Sequence, residues 1–594
     1  MSKRPLSSVS LPSSKRLHGL SPRQHVSTFD LSFDDVFVDE LLLLVFSYLS
    51  WHDLCTIQRT NRNWARLALD NQLWKSLYLH EYGRSRLRGV RGFIGRTDGR
   101  EIRPLPHRAQ SEDTKDWKWM FRISSNWRTG RCSVEDIHTG PRTRIERPLH
   151  RLALPAPPAD DSAAFGPLGQ TYVLLAGNLT LTASAQPLVK PEVRLQTPTQ
   201  EVHSLDCSSS RSSATTSITA LALDQSPPSS QQIRLAVFIA TGEFIIFSLD
   251  HQDPPHSVRQ LTYTPTSRTA RNSPITHAVY HHPLLVTLSH AFHLSIYDLS
   301  GGSVVHTQTL TSFTSYPPSS LVLSASTSGT YKLVLAYAVP VYPAHWSVGA
   351  TELIISGREE DAHERMTVRS SRTARAVDTP SGWMDARKLR AMREQWARKV
   401  TRVADIQTDG KWVILAPAMP PSPSAPVSSS SDSESDSTSP SSSSSTRSRI
   451  IYTSSPLYSS TALQLYRLHF PSLTGGGPAP RLTFVRTLHG QTGPVCALAV
   501  ADGRCVSLGV DGGMWVWDLE GGTGAEVTRG PLPESASVPS GDGFGTEVAR
   551  GELQNDMADE GKRMDMVGRG AVVFDDRRIV SAGVDGVQVR RFDI

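Results

Sequence analysis

The sequence predicts a small all-α module followed by an all-β propeller of about seven blades. The first observation is a compact apolar helix within residues 37–50, FVDELLLLVFSYLS. The second is a long series of short apolar runs separated by turns, which begins at about residue 132. The third is the motif V-S-x-G-V-D-G, which occurs at Val506–Gly512 and again at Val580–Gly586. Repeated units of strand, tight Asp-Gly turn and strand are typical of a propeller.

The composition excludes several classes of protein. The chain has 594 residues, a net charge of +6 and five scattered cysteines with no C-x-x-C pair. Such cysteines argue against a disulfide framework or a zinc finger and favour a reducing compartment, the cytosol or the nucleus. No run approaches the roughly 18 apolar residues that a membrane helix needs, so no membrane partner is expected.

Residues 1–29 are predicted to form a disordered basic tail. They contain five Lys and Arg residues and no acid, which leaves the rest of the chain almost neutral. A basic footprint for nucleic acid is therefore not expected in the folded part. The pairs Lys3-Arg4 and Lys15-Arg16 loosely fit a nuclear-import signal, and the alternative is a solvated tail.

Residues 30–80 are predicted to be a module of three or four short helices. Ser50 precedes the second helix and Asp53 follows three residues later, which is the spacing of a capping box. The first helix carries more apolar side chains than so small a core can bury. We therefore expect another protein to cover part of that helix.

Residues 81–131 are predicted to be a helical linker, and residues 132–594 the propeller. Three propeller segments do not look like blades: residues 359–402, charged and partly helical; residues 416–449, Ser-rich and disordered; and residues 520–567, a Gly- and acid-rich loop. Without them roughly 330–340 residues remain. At about 40–45 residues per blade these residues form seven or eight blades, and we predict seven.

Through residues such as Glu40-Leu41-Leu42, Val45-Phe46 and Leu73-Trp74-Lys75, the helical module resembles the F-box. The family's usual Leu-Pro opening is replaced here by Phe37-Val38. The resemblance implies binding to the Skp-type adaptor of SCF (Skp–cullin–F-box) ubiquitin ligases and, through it, to a cullin. The residues that carry the resemblance are Glu40-Leu41-Leu42, Val45-Phe46, Tyr48-Leu49, Asp53-Leu54, Arg62, Trp64, Leu67-Ala68 and Leu73-Trp74-Lys75. By this resemblance the adaptor-binding candidates are Leu41, Leu42, Val45, Phe46, Leu49 and Leu54, some of which are expected to fill the module's own core.

The propeller repeats resemble degenerate WD repeats, and the segment around Trp117–Gly130 resembles the linker of F-box/WD proteins. In WD repeats a His, a Ser or Thr, an Asp and a Trp form a hydrogen-bonded set within a blade. The matching positions in this chain have structural roles and are His489, Ser507, Asp511, Trp517 and Asp518, with Ser581 and Asp585 in the last repeat.

Together these resemblances imply a substrate-recognition subunit of an SCF-type ubiquitin ligase, whose propeller binds an unidentified target protein. The alternative is a propeller scaffold whose F-box binds the adaptor without any role in ubiquitylation. An enzyme is a third and distant possibility. It ranks last because the sequence has no GxxxxGK[ST], HExxH or GxSxG motif. No catalytic residue, cofactor or metal is predicted.

The sequence does not determine the roles of two segments inside the propeller. In residues 380–403, Leu389, Met392, Trp396 and Val400 fall at helical spacing among basic residues. Such a helix either binds an acidic protein, a membrane surface or a calmodulin-like partner, or packs on the propeller. Residues 428–445 contain 13 serines, some flanked by acids, which suits acidophilic kinases.

Overall fold

The computed structural model describes fifteen stretches of the chain, which divide into a helical unit up to Leu77 and a second unit from Tyr78 onward. The predicted basic tail at residues 1–29 and the Ser-rich segment at 428–445 lie outside the described residues. The described residues are 37–83, 116–137, 170–209, 214–226, 232–250, 253–265, 273–325, 329–341, 345–357, 366–378, 382–418, 461–471, 479–529, 570–583 and 586–594.

The helical unit consists of four short helices with side-chain caps at the start of three of them. They are α1 (Asp39–Phe46), α2 (Trp51–Ile57), α3 (Arg62–Leu67) and α4 (Asn71–Tyr78). The amide of Asp53 donates to Ser50 Oγ at 3.3 Å at the start of α2, as the capping-box spacing predicts. The amide of Trp64 donates to Asn61 Oδ1 at 2.7 Å at the start of α3. Asp70 Oδ1 accepts from the amide of Gln72 at 2.8 Å at the start of α4. These caps satisfy amides that have no partner inside the helix, so each of the three capped helices has a defined start.

The second unit begins with a π-helical turn at Leu79–Gly83 and the helix α5 (Trp117–Thr129). Helix α5 ends at Gly130, whose φ of 70° lies in the left-handed region. The indole of Trp127 stacks on Phe592 with ring centroids 4.1 Å apart. Asn126 Nδ2 donates to the carbonyl oxygen of Phe592 at 2.8 Å. Helix α5 is therefore attached to the last strand region of the chain.

Twenty-nine strands in the described residues form seven antiparallel sheets of four main strands each. Blades one to three are β2 (Thr171–Ala176), β3 (Leu179–Ser184), β4 (Glu192–Gln196), β5 (Val202–Asp206); β6 (Ile218–Leu223), β7 (Gln232–Ile239), β8 (Phe244–Asp250), β9 (Val258–Tyr263); and β10 (Ile275–His281), β11 (Leu284–Ser289), β12 (His293–Asp298), β13 (Val305–Thr311). Blades four to six are β14 (Tyr316–Ala325), β15 (Tyr331–Val341), β16 (His345–Ser356), β17 (Thr367–Arg375); β18 (Val403–Thr408), β19 (Trp412–Pro417), β20 (Leu463–His469), β21 (Arg481–Leu488); and β22 (Val495–Ala501), β23 (Arg504–Gly509), β24 (Met514–Asp518), β25 (Gly524–Glu526).

The seventh blade joins the two ends of the propeller and closes the ring. It combines β27 (Ala571–Phe574), β28 (Arg578–Gly583) and β29 (Gly586–Arg591) with β1 (Arg131–Ile137), which pairs antiparallel with β29. The two-residue strand β26 (Thr528–Arg529) pairs parallel with β1. The first strand of blade one, β2, packs against β27 of blade seven. Seven blades in a closed ring confirm the predicted fold class.

The propeller core lies between neighbouring blades. Strands such as β8 and β11 are buried along nearly their whole length, because each of their faces is covered by an adjacent sheet. Leu235 and Phe247 of blade two, for example, pack in one cluster with Leu181 and Leu195 of blade one. This two-sided burial explains why these strands read as continuous apolar runs in the sequence.

The predicted limits of the three inserts need correction. Residues 359–402 include a blade strand, because Thr367–Arg375 pairs with β16 as β17. The polar sequence of β17 suits an outer edge strand, where only one neighbour pairs and water reaches the side chains. The remaining described part forms helix α6 (Ala386–Ala397). Strand β19 continues to Pro417, and β25 and β26 lie within the predicted 520–567 loop.

Replacing Gly130 by alanine is expected to destabilise the propeller more than the same change at Gly302. Both glycines have similar left-handed φ angles, +70° and +72°. A Cβ at Gly130 would lie 1.8 Å from the carbonyl oxygen of Glu526, whereas a Cβ at Gly302 would have no atom within 4 Å. We expect Gly302→Ala to reduce the free energy of unfolding by about 1 kcal/mol through φ strain alone. Urea denaturation should show a clearly larger loss for Gly130→Ala, and equal losses would contradict the predicted steric contact.

Candidate adaptor-binding surface

One side of helix α1 forms the core of the helical unit. Leu42 and Phe46, four residues apart, are 1% and 2% exposed, and Leu54 of α2 is fully buried. The Phe46 ring packs edge-on against Trp64 of α3, with centroids 5.8 Å apart. Leu42, Phe46 and Leu54 are therefore the members of the candidate set that fill the module's own core, and they offer no surface to a partner in the free chain. They are buried inside the free chain, because three helices must share a very small core.

The opposite side of α1 presents an apolar stripe to solvent. We define this apolar stripe as Leu41, Leu44, Val45 and Tyr48, which are 47%, 55%, 49% and 83% exposed. Leu41, Leu44 and Val45 lie on one face of α1, and Tyr48, in the turn two residues beyond its end, continues the same spacing. The predicted candidates Leu41 and Val45 lie in the stripe, whereas Leu49 is half-buried beyond the end of α1.

Leu44 and Tyr48 were missed as site residues by the sequence analysis. Their helical spacing from Leu41 identifies them once it is known which side of α1 faces the core. An exposed run of large apolar side chains on one short helix is unusual for a surface that faces only water. The stripe is therefore a candidate surface for another protein.

The helices behind the stripe are held by specific polar contacts. Arg66 Nη2 of α3 lies 2.6 Å from Asp39 Oδ2 at the start of α1. The indole Nε1 of Trp74 donates to the carbonyl oxygen of Ala68 at 2.8 Å, and this bond is buried. Leu67 and Trp74 are buried in the core of the unit. The stripe thus lies on a scaffold whose own core does not need those four side chains.

The sixth blade contains a hydrogen-bond chain of the kind expected for a WD repeat, with one substitution. Trp517 Nε1 donates to Ser507 Oγ at 3.1 Å, and Ser507 Oγ donates to Gln491 Oε1 at 2.7 Å. Gln491 then donates from Nε2 to the carbonyl oxygen of Gly513 at 3.3 Å. The expectation that His489 belongs to this set is wrong, because His489 is exposed and the buried Gln491 occupies its role.

The other predicted structural residues of the propeller stabilise turns and strand edges. Asp511 accepts bonds from Thr492 Oγ1 at 3.1 Å and from the amide of Gly513 at 3.0 Å. Asp518 accepts from the amides of Glu520 and Gly521. In the last blade, Ser581 Oγ accepts from Arg590 Nη1 at 2.8 Å. Asp585 lies outside the described residues.

Replacing Ser507 by alanine is expected to lower the free energy of unfolding by about 1–3 kcal/mol, because the buried Trp517 Nε1 loses its acceptor and Gln491 Oε1 loses its donor. The matched change Ser581→Ala removes one bond from Arg590, which keeps a second bond to Gln588 at 2.8 Å. We expect its effect to be the smaller of the two. Chemical denaturation of both variants measures the difference, and the reverse order would refute the role assigned to Ser507.

The described residues offer little for bond chemistry. Burial raises the pKa of the Cys207 thiol to about 12 and that of Cys496 to about 11. These two thiols are therefore protonated at neutral pH and are poor nucleophiles. Among the described residues no group of three or more His, Cys, Asp or Glu side chains is arranged to hold a metal ion. None of the helices described is long and apolar enough to span a bilayer.

Comparison with known families agrees with both parts of the architecture. A model described as F-box-like matches residues 39–80. A model described as the F-box protein pof12 beta-propeller matches residues 169–583, which is more than half of the chain. The chain belongs to this F-box/propeller family. The resemblance to F-box/WD-repeat proteins stated from the sequence is thereby confirmed.

Two curated relatives are similar over short regions. The chain is 33% identical to F-box protein pof12 of Schizosaccharomyces pombe over 97 residues, which cover 16% of this chain and 18% of the relative. It is 26% identical to an F-box protein of Saccharomyces cerevisiae over 125 residues, 18% of each chain. The chain thus spans under a fifth of either relative. A solved β-propeller domain of Cps50 (Swd1) from Myceliophteria thermophila aligns with 71% of this chain and 96% of its own, at 11% identity and a TM-score of 0.33.

Proposed function

We propose that this protein is the substrate-recognition subunit of an SCF-type ubiquitin ligase. The observation that carries the proposal is the apolar stripe on α1, which stays exposed although the module has its own complete core. In this proposal a Skp-type adaptor buries the stripe and connects the chain to a cullin. Membership of a family that combines an F-box with a propeller supports the assignment.

The mechanism that we propose is proximity rather than bond chemistry by this chain. The propeller is a closed ring of seven sheets, which suits it to present a fixed surface to a target protein. The assembled ligase then holds a lysine of the target near a charged ubiquitin-conjugating enzyme. Converting a bimolecular encounter into one within a complex raises the effective concentration of the reacting groups.

We also propose that the protein works in a reducing compartment, the cytosol or the nucleus. All five cysteines are free thiols, and Cys132, Cys207 and Cys505 are buried. Unpaired cysteines are common where glutathione and thioredoxin keep thiols reduced.

Target capture during proteasome inhibition tests the receptor function. Proteins retained by the wild-type chain should include ubiquitylated species that accumulate when the proteasome is blocked. A Leu41→Asp chain, which keeps the propeller but introduces a charge into the stripe, should retain the same proteins without ubiquitin. Equal ubiquitylation of the retained proteins with both chains would refute the proposed role and favour a scaffold.

A further inference from the structure

The described residues that flank the chain connection 419–460 lie at the same end of blade five as the residues that follow helix α6. Val403 at the start of β18 pairs with Pro417 at the end of β19. The amide of Ala418 donates to the carbonyl oxygen of Arg402 at 3.0 Å. Gln464, just after the connection, donates from Nε2 to the carbonyl oxygen of Arg398 at 3.0 Å. Both ends of the connection therefore contact the few residues that follow α6.

The apolar side chains of helix α6 are less exposed than its charged ones, and the chain just beyond the helix is attached to the propeller. Leu389, Met392 and Trp396 are half-buried, and the strand-like bridge between Trp346 and Val400 fixes the chain beyond the helix. The guanidinium of Arg398 lies 4.3 Å from the ring centre of Phe484 in β21. These contacts attach the residues that follow α6 to the propeller, as the packing interpretation of this segment expects. The burial pattern along α6 shows which of its side chains stay exposed.

The outward face of α6 is predominantly basic. Two acids partly offset its charge. Asp385 caps the helix by accepting a hydrogen bond from the amide of Lys388 at 2.7 Å, and the Glu394 carboxylate lies 4.0 Å from the Arg398 guanidinium. The indole of Trp383, one turn before the helix, is 88% exposed. The exposed basic side chains, which we call the α6 basic face, are Arg387, Lys388, Arg390 and Arg393.

The connection that starts beside this helix has the complementary sequence. It contains Ser431-Asp432-Ser433-Glu434-Ser435-Asp436 within a stretch of 13 serines at residues 428–445. The thirteen residues from 419 to 431 span at most about 45 Å when fully extended. Helix α6 has 12 residues and is therefore about 18 Å long. The acidic serines can thus reach every position on the α6 basic face.

We propose that residues 428–445, once phosphorylated on serine, bind to the α6 basic face of the same molecule. An acidophilic kinase would transfer the γ-phosphoryl group of ATP to a serine Oγ, with loss of the hydroxyl proton and release of ADP. Each phosphate adds a charge of about −1.5 to −2 and acceptor oxygens that arginine can bind in pairs. Because both groups are on one chain, the effective concentration is on the order of millimolar, so a weak contact suffices.

Zero-length cross-linking of the full-length protein tests this contact. A carbodiimide joins the Lys388 amine only to a carboxylate in direct contact with it, here that of Asp432, Glu434 or Asp436. After treatment with an acidophilic kinase and ATP, we expect these cross-links in the monomer fraction at a yield at least about tenfold above that of untreated protein. The double variant Arg387→Glu/Arg390→Glu, which keeps Lys388, should return the yield to the untreated level.

Matched controls separate the contact from general charge effects. The double variant Arg259→Glu/Arg481→Glu reverses the charge of two exposed arginines that lie in strands β9 and β21 rather than in α6. It should leave the yield of the cross-link unchanged. An unchanged thermal midpoint should show that each variant is folded. The proposal is overturned if phosphorylated protein shows no such cross-link, if reversal of Arg387 and Arg390 leaves the yield unchanged, or if Lys388 couples only to a second molecule. None of these results depends on adaptor binding.

Discussion

Replacing Val45 by lysine is expected to weaken binding of a purified Skp-type adaptor by about 100-fold. The variant places an unpaired charge in the proposed interface, and burying such a charge costs several kcal/mol. Each tenfold increase in Kd corresponds to about 1.4 kcal/mol of lost binding free energy. Leu41→Asp should have a similar effect. Each charge suits its end of α1, an anion in the first turn and a cation in the last, so the helix is retained. Isothermal calorimetry with the full-length chain measures both Kd values.

The matched control is Leu69→Lys, because Leu69 is 52% exposed and lies outside the apolar stripe. We expect this variant to bind the adaptor as the wild type does. Phe46→Asp is not a suitable test, because Phe46 is buried and its loss would unfold the module. If Val45→Lys and Leu69→Lys bind equally well, the stripe is not the adaptor site.

Replacing Trp127 by alanine is expected to lower the free energy of unfolding of the propeller by about 3–5 kcal/mol. The side chain is 3% exposed and stacks on Phe592 with an interplanar angle of 12°. Its Nε1 donates to the carbonyl oxygen of Asp576 at 2.9 Å, and the guanidinium of Arg504 lies 5.0 Å from its ring centre. Truncation therefore leaves a cavity and an unpaired carbonyl at the point where α5 meets the closing blade.

Urea denaturation followed by near-ultraviolet circular dichroism measures this loss. Phe313→Ala serves as the control, because Phe313 is 89% exposed and its removal should change stability by less than about 0.5 kcal/mol. A double variant of Trp127 and Phe592 should reveal a coupling of about 0.5–1.5 kcal/mol from the stacked pair. Losses of the same size for Trp127→Ala and Phe313→Ala would contradict the attachment of α5 to the propeller.

The sequence was sufficient for the order of the helical module and the propeller and narrowed the number of blades to seven or eight, because those features follow from local patterns. Strands buried on both faces read as apolar runs, and the repeated Asp-Gly turns indicate where they reverse. Strand β17 escaped this reasoning, since an edge strand of mostly polar residues has no apolar run to detect.

The candidate site was only half predictable for a similar physical reason. Helix α1 reads DELLLLVF, so apolar residues surround it and periodicity does not reveal which side faces the core. Only the packing of Phe46 against Trp64 determines the phase that exposes Leu44 and Tyr48. Gln491 was missed because its position depends on the geometry of the loop before β22, which matching a histidine to the repeat pattern does not describe.

The most direct test of the proposed receptor function is co-elution of the purified full-length chain with a Skp-type adaptor and a cullin. Size-exclusion chromatography with light scattering should show a single complex containing one copy of each protein. The same mixture with Val45→Lys should leave this chain separate from the adaptor–cullin pair. Elution of the wild-type chain alone, or with the adaptor but without the cullin, would contradict the assignment as an SCF substrate receptor.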